Sequence, residues 1–129
     1  MSEPRWLPRT FFRAAQTQLV REHGGQLGLL DPAALGEVLR RPQDKYCRGI
    51  DEVAPLAAGY AFVLVRRRPF RDGNKRLALA AIYSFLHLNG RELAAPEAEA
   101  VSVLRRIEDG DMLEGELGDW VREHVHPRR

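Results

Sequence analysis

The chain has 129 residues, of which 44% are hydrophobic and 29% charged, with a net charge of +2. These proportions suit one domain spanning residues 1–129 around one modest core, and they exclude wholesale disorder. The single cysteine, Cys47, excludes an internal disulfide and a multi-cysteine zinc site.

The start, Met1-Ser2-Glu3-Pro4-Arg5-Trp6, lacks the apolar core of a signal peptide. The longest uncharged runs, 53–65 and 77–88, fall short of the ~20 residues of a membrane helix. A soluble, cytoplasmic protein is expected, with its core over about residues 10–124 and short flexible tails.

Pro8-Arg9-Thr10 opens the first helix, in which Phe12, Ala15 and Leu19 recur among Arg13, Gln16, Gln18 and Arg21. His23-Gly24-Gly25 stops it, and Gly28-Leu29-Leu30 reads as a linker. Asp31 and Pro32 fit the N-cap and first position of a short second helix through about Leu39, which Arg41-Pro42 ends. Residues 43–50 read as a loop. Asp51 is placed to cap a third helix, provided Pro55 falls in its first turn. The run Phe62-Val63-Leu64-Val65 also fits a strand, but Ala57, Ala58, Gly59 and Ala61 favour close helix packing.

The fourth helix, about 74–89, carries no charge from Leu77 to Leu88 and so reads as a central helix wrapped by neighbours, with Asn89-Gly90 as its stop. Pro96 starts a fifth helix with Ala100, Val103, Leu104 and Ile107 facing inward. Residues 108–111 form a turn. Leu113, Leu117, Trp120 and Val121 mark a final short helix, and residues 126–129 a frayed tail. The fold class is all-α, about six helices in a small bundle around a buried central helix.

Between the third and fourth helices lies the most informative stretch, Arg66-Arg67-Arg68-Pro69-Phe70-Arg71-Asp72-Gly73-Asn74-Lys75-Arg76, in which six of eleven positions are basic. A loop feeding a helix start offers free backbone N–H groups and the positive end of the helix dipole, which suits phosphate. Lys75 and Arg76 would lie on the first turn, where cations oppose the dipole unless an anion joins them. Asp72 offers a carboxylate to a divalent cation, or a cap to the helix.

Phe70-Arg71-Asp72-Gly73-Asn74-Lys75-Arg76 resembles the signature loop of the Fic/Doc family, His-x-Phe-x-Asp/Glu-Gly/Ala-Asn-Lys/Gly-Arg, and is most similar to its Doc branch of toxin–antitoxin toxins. Gly24-Gly25, the Leu39–Gln43 stretch and the Phe85-Leu86…Asn89-Gly90 end extend the likeness over about residues 10–124. The resemblance implies a small helical bundle. It also implies that Asp72 holds Mg²⁺ against nucleotide phosphates, that Gly73, Asn74, Lys75 and Arg76 hold the triphosphate of ATP, and that Phe70 anchors the loop. The Doc branch transfers the γ-phosphate of ATP to a threonine of translation elongation factor EF-Tu. Its members are inhibited by an antitoxin whose C-terminal helix lies in a groove beside the site, and both partners are expected here.

Two positions depart from the pattern. Arg68 stands where the family has the histidine that accepts the proton of the attacking hydroxyl, and a guanidinium has no acceptor lone pair. Three readings of Arg68 stay open: an inactivating substitution, a natural inactive relative that keeps nucleotide or partner binding, or a chemistry in which Arg68 acts on phosphate charge. Leu79 stands where AMP-transferring Fic proteins carry a second arginine, which turns the expectation from AMP transfer toward phosphoryl transfer.

No substitute base is evident in the sequence. His87 lies ~20 Å along the helix from Asn74 by helical rise, while His23, His124 and His126 sit near turns or the end of the chain. Ser2, Thr10, Thr17, Ser84 and Ser102 lack a glutamate four residues on, so the self-inhibitory Fic helix motif is absent. The rival from another class is a binding module whose basic loop grips nucleic acid or an acidic partner, although no aromatics for base stacking interleave with it.

Overall fold

A computed structural model describes residues 2–128. Six helices account for most of it: α1 (Arg9–His23), α2 (Pro32–Cys47), α3 (Val53–Arg67), α4 (Asn74–Leu88), α5 (Glu97–Glu108) and α6 (Glu114–His124). A two-stranded antiparallel sheet joins β1 (Arg91–Leu93) to β2 (Val125–Pro127), with Leu93 opposite Val125 and Arg91 opposite Pro127. The fold is all-α in class, as expected, with this small sheet as an addition.

Helix α3 runs through the middle and packs on α2, α4, α5 and α6. Its small residues permit that: a Cβ on Gly59 would lie 3.4 Å from the Arg41 side chain, and one on Gly118 of α6 the same distance from the Pro55 backbone. Phe62–Val65 is helical, and Pro55 sits in the first turn, where its missing N–H has no intrahelical partner to lose. The residue before the helix is Glu52 rather than Asp51, and neither caps it with a side chain.

In α4, Leu77, Ala78, Ala81, Ile82, Phe85 and Leu86 are buried, while Leu79, Ala80 and Tyr83 are half-buried. Neighbours therefore wrap one face of α4, and the other lines an open cavity.

Three boundaries differ from expectation. Helix α2 continues through Pro42 to Cys47, across the stretch read as a loop. An internal proline costs ~3 kcal/mol, but tertiary contacts hold the second half of the helix in place. Arg41 Nη2 and Lys45 Nζ donate to Glu114 at 2.6 and 2.7 Å, and Lys45 also donates to the Pro55 carbonyl at 2.6 Å.

Residues 126 and 127, read as part of a frayed tail, join Val125 in β2, and Arg128 N–H donates to the Gly90 carbonyl at 2.9 Å. Near the other end, Leu7 is buried, Trp6 stacks on Phe85 at 6.0 Å, and Arg5 exchanges backbone hydrogen bonds with the Asn89 side chain. Leu113, read as one of the apolar residues of the last helix, precedes it as the N-cap of α6 and is 69% exposed.

Candidate functional site

The loop between α3 and α4 is fixed by backbone pairing on one side and one clasping side chain on the other. Arg68 ends α3 in the left-handed region, φ 49°, with its N–H donated to the Leu64 carbonyl at 3.0 Å. It is the only non-glycine among the described residues with positive φ, a conformation that a β-carbon disfavours.

Pro69 O then accepts from Leu30 N–H at 2.8 Å and Asp31 N–H at 3.0 Å, and Arg71 N–H donates to Gly28 O at 3.0 Å. Leu29 and Phe70 form a short antiparallel bridge between these bonds. The linker 28–31 thus runs along the signature loop as a backing strip, and Phe70 is buried beneath it.

Asn74 provides the clasp. Its Oδ1 accepts from Phe70 N–H at 3.1 Å, and its Nδ2 donates to Phe70 O at 2.9 Å. With its side chain buried and committed to the loop, Asn74 presents its backbone N–H at the start of α4.

Gly73 is the N-cap of α4 at φ 80°, a value that favours glycine, and no side chain caps the helix. The first N-terminal helix bond is that of Leu77 N–H to Gly73 O at 2.8 Å, so the amides of Asn74, Lys75 and Arg76 precede it. Asp72 does not cap α4. Its Oδ2 accepts from Gln26 N–H at 2.6 Å.

These groups edge a cavity of about 710 Å³. Arg68 and residues 72–76 form one side, Leu79, Ala80 and Tyr83 of α4 the floor, Leu19 and His23 of α1 one end, and α5 the far wall. Such a volume lies in the range of small-molecule and nucleotide sites.

The charges are mixed. Lys75 Nζ lies 3.0 Å from Glu108 Oε1 of α5, and Glu97 and Arg105 also line the wall. Arg66 donates to Ile107 O at 3.3 Å, and Arg67 pairs with Glu37 and Asp31; neither lines the cavity. Arg68 and Arg76 do line it and make no ion pair among the described residues.

Among the described residues no three His, Cys, Asp or Glu side chains cluster as metal ligands. Mg²⁺ is commonly held by one or two carboxylates together with substrate phosphates and waters. Asp72 fits that donor set: one oxygen is fixed by Gln26 and the other takes no hydrogen bond among the described residues.

Several lining residues were not evident from sequence. His23, set aside as a substitute base for lying near a turn, reaches the cavity edge because α1 ends there. Glu97, Arg105 and Glu108 belong to a helix with no motif. Gln16 lies beneath the loop, 2% exposed, and the available signal was a polar residue four positions after Phe12 on the apolar stripe. His87, His124 and His126 do not line the cavity.

The Fic/DOC family model matches residues 6–86, the segment holding α1 to α3, the whole signature loop and all but the last two residues of α4. The Doc toxin of Mycolicibacterium smegmatis is 41% identical over 78 residues, covering 56% of this chain and 57% of that protein. The chain therefore spans a little over half the length of that relative in the matched region.

Proposed function

The chain belongs to the Fic/Doc family, and from that premise we propose that it is a Doc-type toxin whose site binds Mg–ATP and presents the γ-phosphate to a protein hydroxyl. The observation that carries this reading is the helix start. Three amides without a hydrogen-bond partner among the described residues, at Asn74, Lys75 and Arg76, open α4 at the cavity that Arg76 and the anchored Asp72 also line. An anionic ligand would relieve two cations placed against the helix dipole. When bound, Mg²⁺ would neutralise phosphate charge from the Asp72 side. Leu79, where an AMP-transferring site would need an arginine, supports phosphoryl over nucleotidyl transfer.

In the proposed reaction the hydroxyl oxygen of the acceptor, by the resemblance a threonine of elongation factor EF-Tu, bonds to the γ-phosphorus. The bond to the β-phosphate oxygen breaks, ADP leaves, and the hydroxyl proton passes to a base. Arg68 cannot take that proton. A missing base costs ~10²–10⁴ in rate, so this chain binds nucleotide but turns over slowly. Arg68 also supports the alternative of a catalytically silent nucleotide- or partner-binding module.

An antitoxin is the proposed protein partner. The half-buried Leu79 and Tyr83 and the 42%-exposed Val101 give the cavity an apolar lining suited to a partner helix.

The test compares this chain with Arg68→His on purified EF-Tu, using ATP labelled at either the α- or the γ-phosphate. The histidine variant is expected to transfer γ-label ~10²–10⁴ faster than the arginine chain. Transfer of α-label would replace the kinase reading with AMP transfer. ATP binding without transfer by either chain would leave the binding module.

A further inference from the structure

Asn74 and Gln16 are the polar residues enclosed by the core among the described residues, and the site as described uses only Asn74. Gln16 lies on the inner face of α1, where an apolar side chain would pack without needing partners. Its Nε2 donates to two backbone carbonyls, Gln26 O and Asp72 O, each at 3.2 Å. Both partners are acceptors, so only the amide nitrogen, with two hydrogens, satisfies them. Those carbonyls belong to two separate loops, the turn after α1 and the signature loop.

We propose that Gln16 is a positioning residue for the Asp72 carboxylate, which it sets by tying the 24–28 turn to the signature loop. The chain of contacts is short. Gln16 holds Gln26 by its carbonyl, and the N–H of Gln26 holds Asp72 Oδ2 at 2.6 Å. Gln16 also holds Asp72 by its own carbonyl, so the residue is fixed at both backbone and side chain.

Gly25 completes the arrangement: φ is +108°, and a β-carbon there would come within 3.0 Å of Asp72 Cβ. The turn therefore lies flat against Asp72, and the carboxylate is aimed by a residue inside the core. This inference rests on Asp72 acting on the metal side of bound nucleotide, as proposed above.

The full-length chain is tested as Gln16→Met, with Gly25→Ala and Asp72→Asn alongside. Two quantities are read: hydrogen exchange of the Gln26 amide in the free protein, and ATP affinity by calorimetry with and without Mg²⁺. Gln16→Met is expected to speed Gln26 exchange by about five- to tenfold, as loss of one net hydrogen bond would. It should also abolish most of the Mg²⁺-dependent gain in ATP affinity while Mg²⁺-free affinity stays unchanged, a split that a merely structural role would not produce.

Unchanged exchange, or faster exchange with the Mg²⁺ gain intact, would overturn the proposal. A gain that survives Asp72→Asn would instead overturn the metal-side reading of Asp72, and the proposal with it, whatever Gln16→Met does. If Gln16→Met does not fold, Gly25→Ala displaces the same carboxylate from the solvent side. Loss of the gain supports the proposal, and retention overturns it.

Discussion

The side chain of Asn74 serves the signature loop itself, clasping Phe70 at both its N–H and its carbonyl. Removing its amide leaves Phe70 N–H and O buried without partners. Each such group costs roughly 1–3 kcal/mol, so Asn74→Ala should lose about 2–4 kcal/mol in urea unfolding, and Asn74→Asp, which keeps the acceptor, should lose less. Lys75 is a cavity-lining cation already engaged by the protein. Its pair with Glu108 is about one-third exposed at each side chain, and such pairs are worth ~0.2–1 kcal/mol. Glu108→Gln should then tighten ATP binding by up to about fivefold in calorimetry. Phe70, Asp72, Gly73 and Arg76 were legible as a group because a contiguous loop fixes its own neighbours. The Lys75–Glu108 pair was not, because 33 residues separate its members and nothing local to either requires the other.

Among the elements, α2 teaches most about where sequence reading stops. Asp31 was read correctly as its N-cap, its Oδ1 accepting from Ala34 N–H at 3.0 Å, since a cap is chemistry between residues three apart. Its end was misread at Pro42, because what carries the helix past the proline comes from another element. That element is Glu114 of α6, an 11%-exposed carboxylate between Arg41 and Lys45. Burial alone would raise the Glu114 pKa, but the hydrogen bonds from Arg41 and Lys45 outweigh it and hold the group below the usual carboxylate value of 4.5. A depressed folded-state pKa means the stabilisation is complete above about 4.5 and is lost as pH falls through the folded value. Glu114→Gln should therefore cost roughly 2–3 kcal/mol near neutral pH, between an exposed and a fully buried pair. The deficit should shrink below the carboxylate range when melting temperatures of both proteins are compared across pH.

At the scale of the whole molecule, the six-helix architecture was legible from periodicity and stops, while the β1–β2 pair was not. Three-residue strands joining positions some 35 residues apart carry no periodic signal. The basic run was legible too, yet its meaning depends on how the fold distributes it. Of its six cations, Arg67 and Lys75 are paired with carboxylates, Arg66 is bonded to the end of α5, and the Arg71 stem lies along Gly28 away from the cavity. Arg68 and Arg76 remain, both at the cavity, which also receives Asp72, Glu97 and Glu108. That pattern suits one compact anion in a bounded pocket. A polyanion would need a continuous track of free cations and would meet these carboxylates. A nucleic-acid module would show log–log salt slopes near −0.9 per phosphate contacted. Duplex DNA is therefore expected to dissociate from this chain at a physiological ionic strength of about 0.15 M. ATP should stay bound there, with a slope no steeper than about −2 to −3 in titrations at several salt concentrations. A steep slope with DNA retained would mean that the basic loop acts as a surface rather than as the rim of a pocket.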